Sequence, residues 1–308
     1  MNGIPYRPGY IALHRNRELR KRGETLWKIL ESCRLCPREC QVNRLNGEKG
    51  FCNATSTLRV ASCHAHFGEE PPLVGVGGSG TIFLSHCNLG CVFCQNWDLS
   101  HRGSGTDLEI HDLARMMLEL QDLGVHNINV VTPTHFSPHV VLALDMAAEQ
   151  GLRLPLVWNT CGWERQEILE ILDGVVDIYL ADFKYMDPEM ASTYSSEALS
   201  YPEVTQEALL EMNRQVGVAK PNALGVMDQG LMIRHLVMPG KVSGSEEAMK
   251  WIAEHLPLDT YVNIMIQYRP SYRAHLYPEI DRYVSRDEYR EVVMLARSLG
   301  LGNLNTDL

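Results

Sequence analysis

From about residue 81 onward, short β-branched or apolar runs alternate six times with longer amphipathic segments, and few folds accommodate such an order. The runs 81–86 (TIFLSH), 127–132 (NINVVT), 154–159 (LPLVWN), 177–184 (DIYLADFK), 231–238 (LMIRHLVM) and 261–267 (YVNIMIQ) are too short for helices. Each is bounded by Gly, Pro or polar residues, as strands are. Between them apolar residues recur at helical spacing: within 108–123, Leu113, Met116, Met117 and Leu120 share one face and Gly124 follows as a stop. The same spacing predicts helices at 137–150, 165–173, 204–216, 245–256 and 286–299. Repeated β/α units imply an α/β fold with a parallel sheet and right-handed crossovers. Six units make either an open doubly wound sheet or an incomplete barrel, and in both the functional loops leave the C-terminal ends of the strands.

The first 80 residues follow another pattern: a basic, helix-like start, a cysteine-rich stretch, then a Gly/Pro-rich approach, GEEPPLVGVGGSG. They predict a small appended module over 1–74, with the β/α unit over 75–308. Within the approach, residues 75–80 match G-x-G-x-x-G. A dinucleotide site needs that motif after a strand and opening a helix, whereas here it precedes a strand, so the glycines are expected only to allow close approach of the chain.

The chain has 308 residues, nine cysteines and a formal net charge of -10. It shows neither a signal-like apolar stretch at its start nor a run of about 18 apolar residues, which predicts a cytoplasmic protein with no membrane partner. In a reducing compartment closely spaced cysteines are expected to be ligands or redox groups and not a disulfide framework. The acidic balance, with no block of Lys or Arg, argues against nucleic acid as a partner.

Directly after the first predicted strand comes Cys87-Asn-Leu-Gly-Cys91-Val-Phe-Cys94. Random placement of nine cysteines would produce such a C-x3-C-x2-C pattern about 0.01 times in this chain. Three thiolates on one loop can each bind one iron of a 4Fe-4S cubane and leave the fourth iron open, whereas structural zinc takes four closed ligands. A zinc knuckle completed by His86 or His101 is the alternative.

This loop resembles that of the radical S-adenosylmethionine (SAM) superfamily, including Phe93 before the third cysteine. The wider stretch IFLSHCNLGCVFCQNWD is similar to the activating enzymes of pyruvate formate-lyase, with Asn96 after the loop. CPREC near the N-terminus, NINVVTPTHF, DIYLADFKY, RHLVMPG and IQYRP look like the pyruvate formate-lyase activating enzyme-like subgroup. The resemblance implies an incomplete (β/α)6 radical SAM barrel and a reduced 4Fe-4S cluster on Cys87, Cys91 and Cys94. It also implies reductive cleavage of SAM to methionine and a 5'-deoxyadenosyl radical that abstracts hydrogen from a substrate. The protein's part in such chemistry is binding, orientation and exclusion of water.

Further contacts follow from the same resemblance. Where the family commonly has a Gly-Gly-Glu-Pro type motif, this chain has Thr132-Pro-Thr134-His135, so Thr132, Thr134 or His135 would take over the methionyl amine. Asn159 would meet ribose or carboxylate. Asp182 and Lys184 match an Asp-x-Lys pattern and alternate to one face of a strand. Arg234 and His235 on the fifth predicted strand, with Gln267 and Arg269 where the sixth runs out, complete the expected set. An electron donor such as flavodoxin or ferredoxin and a glycyl radical enzyme substrate are the partners implied. Another protein or small molecule could take the substrate's place. From a different class, a non-catalytic metal-binding or electron-transfer protein is the competing reading.

A second group, Cys33-x2-Cys36-x3-Cys40-x11-Cys52, supplies four thiolates, with Gly47 and Gly50 letting the chain turn back. Four closed ligands at this spacing suit zinc or a second iron-sulfur cluster. Cys63 and Cys161 remain as core residues, Cys161 at a strand end being the better placed of the two for a redox role.

Overall fold

The computed structural model describes residues 6–307. The first five residues of the expected N-terminal module, and Leu308, lie outside them. Among the described residues nine strands form one sheet: β1 (Leu58–His66), β2 (Ser79–Leu84), β3 (Thr106–Leu108), β4 (Ile128–Val131), β5 (Leu156–Thr160), β6 (Ile178–Asp182), β7 (Gly230–Leu236), β8 (Tyr261–Met265) and β9 (Asn303–Asn305). Their order is β3-β1-β2-β4-β5-β6-β7-β8-β9, so the sheet ends at β3 and β9 and the barrel is unclosed.

The six strands expected from the alternation are β2, β4, β5, β6, β7 and β8, all parallel to their neighbours in that series. The six expected helices are Ile110–Asp122, Ser137–Glu149, Gln166–Leu172, Tyr201–Val216, Ser245–His255 and Arg286–Ser298. Periodicity works here because each strand has two differently filled faces. In β5 Leu156 and Trp158 join the core beneath the helices, whereas Val157 points the other way, into a plug that fills the lower barrel. The plug includes Ile178, Leu180, Met232 and Tyr261, closed from below by Leu73 of the short helix Pro71–Val74 and by Met227.

The N-terminal segment packs closely on the β/α unit. β1 pairs antiparallel with β2 and with β3, so the sheet itself runs into residues 58–66. The helix Glu18–Lys28 lies on Ser137–Glu149, close enough that a side chain at Gly23 would strike Leu142. Leu19, Leu26 and Leu30 are fully buried in the same core as Val140 and Leu144. Hydrophobic burial drives this packing, because these leucines leave water by joining that core. The 75–80 glycines behave as expected: a side chain at Gly80 would meet the Asn127 carbonyl, and the run leads into β2.

Candidate functional site

The loop after β2 carries all three clustered cysteines to the mouth of the barrel. Its backbone turns through left-handed conformations at His86 (φ 73°) and Gly90 (φ 72°), and a side chain at Gly90 would meet Phe51 and Ser196. The Val92 N–H donates to the Tyr194 carbonyl (2.9 Å) and the Arg273 N–H donates to the Val92 carbonyl (2.8 Å), which brackets the loop from both sides. Leu89, fully buried, anchors its middle. Polar hydrogens are aimed at the sulfurs: Leu89 N–H lies 3.4 Å from Cys87 Sγ and the Ser195 hydroxyl 3.1 Å from Cys91 Sγ. Burial pushes the Cys91 thiol up to about 12, with neighbouring Cys94 and Cys87 adding to the rise against the opposing pull of Lys184.

Cys87, Cys91 and Cys94 line one cavity of about 270 Å3, together with side chains from the ends of the parallel strands. A charged chain runs along the strand-end part of this lining. Lys184 Nζ donates to Asp182 Oδ2 (2.5 Å), Arg234 Nε donates to Asp182 Oδ1 (2.7 Å), and Arg234 Nη2 donates to Asn159 Oδ1 (2.6 Å). Burial alone would raise Asp182, but Arg234 and Lys184 outweigh it and hold the carboxyl below the ordinary carboxylate range. Thr132 also lines the cavity at φ 57°, a conformation that β-branched residues rarely adopt and that tends to mark functional sites. Phe93, Asn96 and Gln267 complete the expected residues found there.

Four expected contacts lie elsewhere. Thr134 donates to Glu164 Oε1 (2.7 Å) inside the core. His135 is buried with Nε2 2.8 Å from the Ser85 carbonyl, and burial pushes its pKa down to about 3, so it is neutral. His235 follows Arg234 on β7 and must point to the opposite face. There it bonds the Phe183 carbonyl (2.7 Å) and Ser245 Oγ (2.8 Å) beneath a helix. Arg269 is exposed beyond β8 and is not part of the cavity lining. Cys161, by contrast, lines the cavity, its thiol 3.7 Å from Asn88 Oδ1. Cys63 is half-buried on the strand β1, its thiol pushed up to about 11 by burial.

One functional group escaped the sequence reading. Glu69, whose side chain is 8% exposed, accepts from Asn159 Nδ2 (3.3 Å) and sits 3.6 Å from Arg234 Nη1. Its neighbour Glu70 accepts from Asn263 Nδ2 (2.9 Å). The available signal was a pair of acids followed at once by two prolines, an unusual sequence to bury.

The second cysteine group closes on itself. Cys33 N–H donates to the Val42 carbonyl, Gln41 N–H returns to the Cys33 carbonyl (each 2.9 Å), and a side chain at Gly50 would strike Cys40 Sγ. Cys33, Cys36, Cys40 and Cys52 line one small enclosed cavity with Arg44 and His135. Among the described residues no three His, Cys, Asp or Glu side chains are gathered tightly enough for a single metal ion. A cubane takes one thiolate per iron, and the donor set of the 87–94 loop, beside a lining with both charge signs, fits a cluster with one open iron and a zwitterionic ligand.

A family model for the radical SAM superfamily matches residues 81–199. An uncharacterized protein of Methanocaldococcus jannaschii, MJ0674, is 32% identical over 283 residues, spanning 89% of this chain and 76% of that one. Among solved structures, HydG, a maturase of the [FeFe]-hydrogenase, aligns with a TM-score of 0.47 and 14% identity over 73% of this chain. The chain spans half the length of HydG. Methylornithine synthase, PylB, aligns with the same TM-score and 13% identity, over 73% of this chain and 70% of that one. The chain therefore belongs to one family with MJ0674, and its residues 81–199, which carry three cysteines after the first parallel strand, match the radical SAM superfamily.

Proposed function

We propose that this radical SAM enzyme binds SAM in the cavity lined by Cys87, Cys91 and Cys94 and removes a glycine α-hydrogen from a partner protein, as an activating enzyme does. The observation that carries the SAM site is the meeting of three thiols and the Lys184-Asp182-Arg234 chain on one cavity. The glycine assignment rests on the likeness of the 82–98 stretch and of Asp182-Phe183-Lys184 to activating enzymes. When bound, the 4Fe-4S cluster and SAM supply one-electron cleavage chemistry.

The chain's own residues do the positioning. Lys184 offers a cation to a carboxylate, while Asp182, already paired on both oxygens, keeps Lys184 and Arg234 in place. Asn159, held between Arg234 and Glu69, is available to a ribose hydroxyl or carboxylate. Phe93 and Leu89 line the cavity with apolar surface that excludes water. The reading implies a low-potential donor such as flavodoxin or ferredoxin and a reducing cytoplasm. Among the described residues no helix is long and apolar enough to cross a membrane.

Anaerobic reconstitution with iron and sulfide, followed by reductant and SAM, is expected to yield 5'-deoxyadenosine, and Cys94→Ala to abolish it. Absence of product from cluster-loaded protein would overturn the reading. With a glycyl radical enzyme deuterated at glycine, deuterium should enter the product; unlabelled product would assign the hydrogen to another substrate.

A further inference from the structure

Arg44 and Arg38, both within the N-terminal cysteine group, occupy environments that need explaining. Arg44 is only 1% exposed, yet among the described residues it forms no ion pair with a carboxylate. Its guanidinium donates to the Thr55 carbonyl (2.7 Å) and the His135 carbonyl (2.7 Å), and its Nη1 lies 3.9 Å from Cys33 Sγ. A buried guanidinium needs a counter-charge, and neutral thiols supply none. Four thiolates around zinc(II), or around a [4Fe-4S] core of charge 2+, carry a net charge of about −2 in either case, the complement this arginine lacks.

Arg38 connects that group to the catalytic loop. It lies between Cys36 and Cys40, yet its Nε donates to the Asn88 carbonyl (3.0 Å) and its Nη2 to the Leu89 carbonyl (3.1 Å), both between Cys87 and Cys91. The same guanidinium donates to the carbonyls of Ser196 (2.6 Å) and Ser195 (3.1 Å). Ser195 is the residue whose hydroxyl reaches Cys91 Sγ, and the Ser196 hydroxyl donates to the Gly90 carbonyl (2.8 Å). Phe51, next to Cys52, stacks on the guanidinium at 3.7 Å, and Trp163 lies at 4.9 Å. One planar fork thus gathers four carbonyls, all from segments that carry or touch the catalytic cysteines. The backbone that presents it is held in left-handed conformations at Glu39 (φ 40°) and Gln41 (φ 57°). Such turns persist only where surrounding structure over-determines them.

We propose that Cys33, Cys36, Cys40 and Cys52 hold an anionic tetrathiolate iron-sulfur cluster, whose ligands stand farther apart than those of a single ion, and that Arg38 is a positioning residue through which this centre sets the geometry of the 87–94 loop. The centre fixes the 33–52 turns, the turns aim Arg38, and Arg38 holds the carbonyls of the loop that presents three thiolates to the SAM cavity. The coupling rests on the SAM-binding reading above, whereas the metal centre stands independently of it.

The full-length chain with Cys87, Cys91 and Cys94 all changed to Ala separates the two. After anaerobic loading it is expected to keep about four iron with matching sulfide per chain. One zinc in place of iron, or no bound metal in a folded triple variant, overturns it whether or not the wild type cleaves SAM. The coupling is read in Arg38→Met, which retains all nine thiols. It is expected to keep the N-terminal metal but to bind SAM about tenfold more weakly, and to lose the SAM-induced change in the spin-resonance spectrum of the reduced cluster. Arg38→Lys should recover part of that change. Wild-type SAM affinity and spectrum in Arg38→Met would overturn the coupling.

Discussion

At the level of single residues, the site depends on charges that are buried and yet nearly balanced. Asp182, Glu69 and Glu70 face Lys184 and Arg234 in the space above the barrel plug. Protonating one acid balances the group, and Glu69 is the candidate. Burial, with Glu70 adding to it and Arg234 opposing it, pushes Glu69 up to about 7 from an ordinary 4.5. Because the folded-state value lies above the unfolded one, the folded chain holds a proton that the unfolded chain has released across that interval. The stabilising contribution is therefore complete below the unfolded value and is lost as pH rises through the folded one. Between about pH 5 and about pH 8 the wild-type melting temperature is expected to fall, and Glu69→Gln, fixed in a neutral form, to fall less. Identical pH profiles for the two proteins would show that Glu69 is ionised throughout. The acids and prolines of GEEPP are a local signal, but only the path from β1 into the Pro71–Val74 helix shows which charges these acids meet.

At the level of elements, the alternation of faces explains most of what the sequence disclosed. Asp182 and Arg234 lie on adjacent parallel strands and are paired in register, so both enter the cavity. His235 could be excluded by the same parity, because a residue next to Arg234 on a strand cannot share its face. Thr134 and His135 were beyond such reasoning: the chain after β4 turns at once into a short helical turn, Thr134–Phe136, where strand parity no longer holds. Loop-to-strand contact is equally decisive at Gly162, just after β5. It has φ 82°, and a side chain there would be driven onto the Asp182 carbonyl and the Thr205 methyl. Gly162→Ala is expected to destabilise the chain by about 2–4 kcal/mol, by combining left-handed strain with a backbone clash. A denaturant titration measures it, and a loss within about 0.5 kcal/mol would show that the loop can move away from β6.

At the level of the whole molecule, residues 6–74 pack onto the β/α unit and run into its sheet. β1 covers β2, the Glu18–Lys28 helix covers Ser137–Glu149, and Arg38 and Arg44 reach into two barrel loops. A fragment over 75–308 would expose the apolar surface met by Leu19, Leu26 and Leu58. It is expected to bind a hydrophobic dye and to melt without a cooperative transition. A cooperative melt within a few degrees of the full chain would establish that the two parts fold separately. The sequence by itself determined the six β/α units, the position of three thiols after the first of them, and the four-thiol spacing. These are set by short-range periodicity and by spacing, which survive without knowledge of contacts. Tertiary structure alone decided that Glu69 meets Asn159 and Arg234 beside the three-cysteine cavity, that His235 lies behind the sheet, and that Arg38 spans the two cysteine groups. Those outcomes depend on residues distant in the chain competing for the same buried space, and no local pattern records which of them meet.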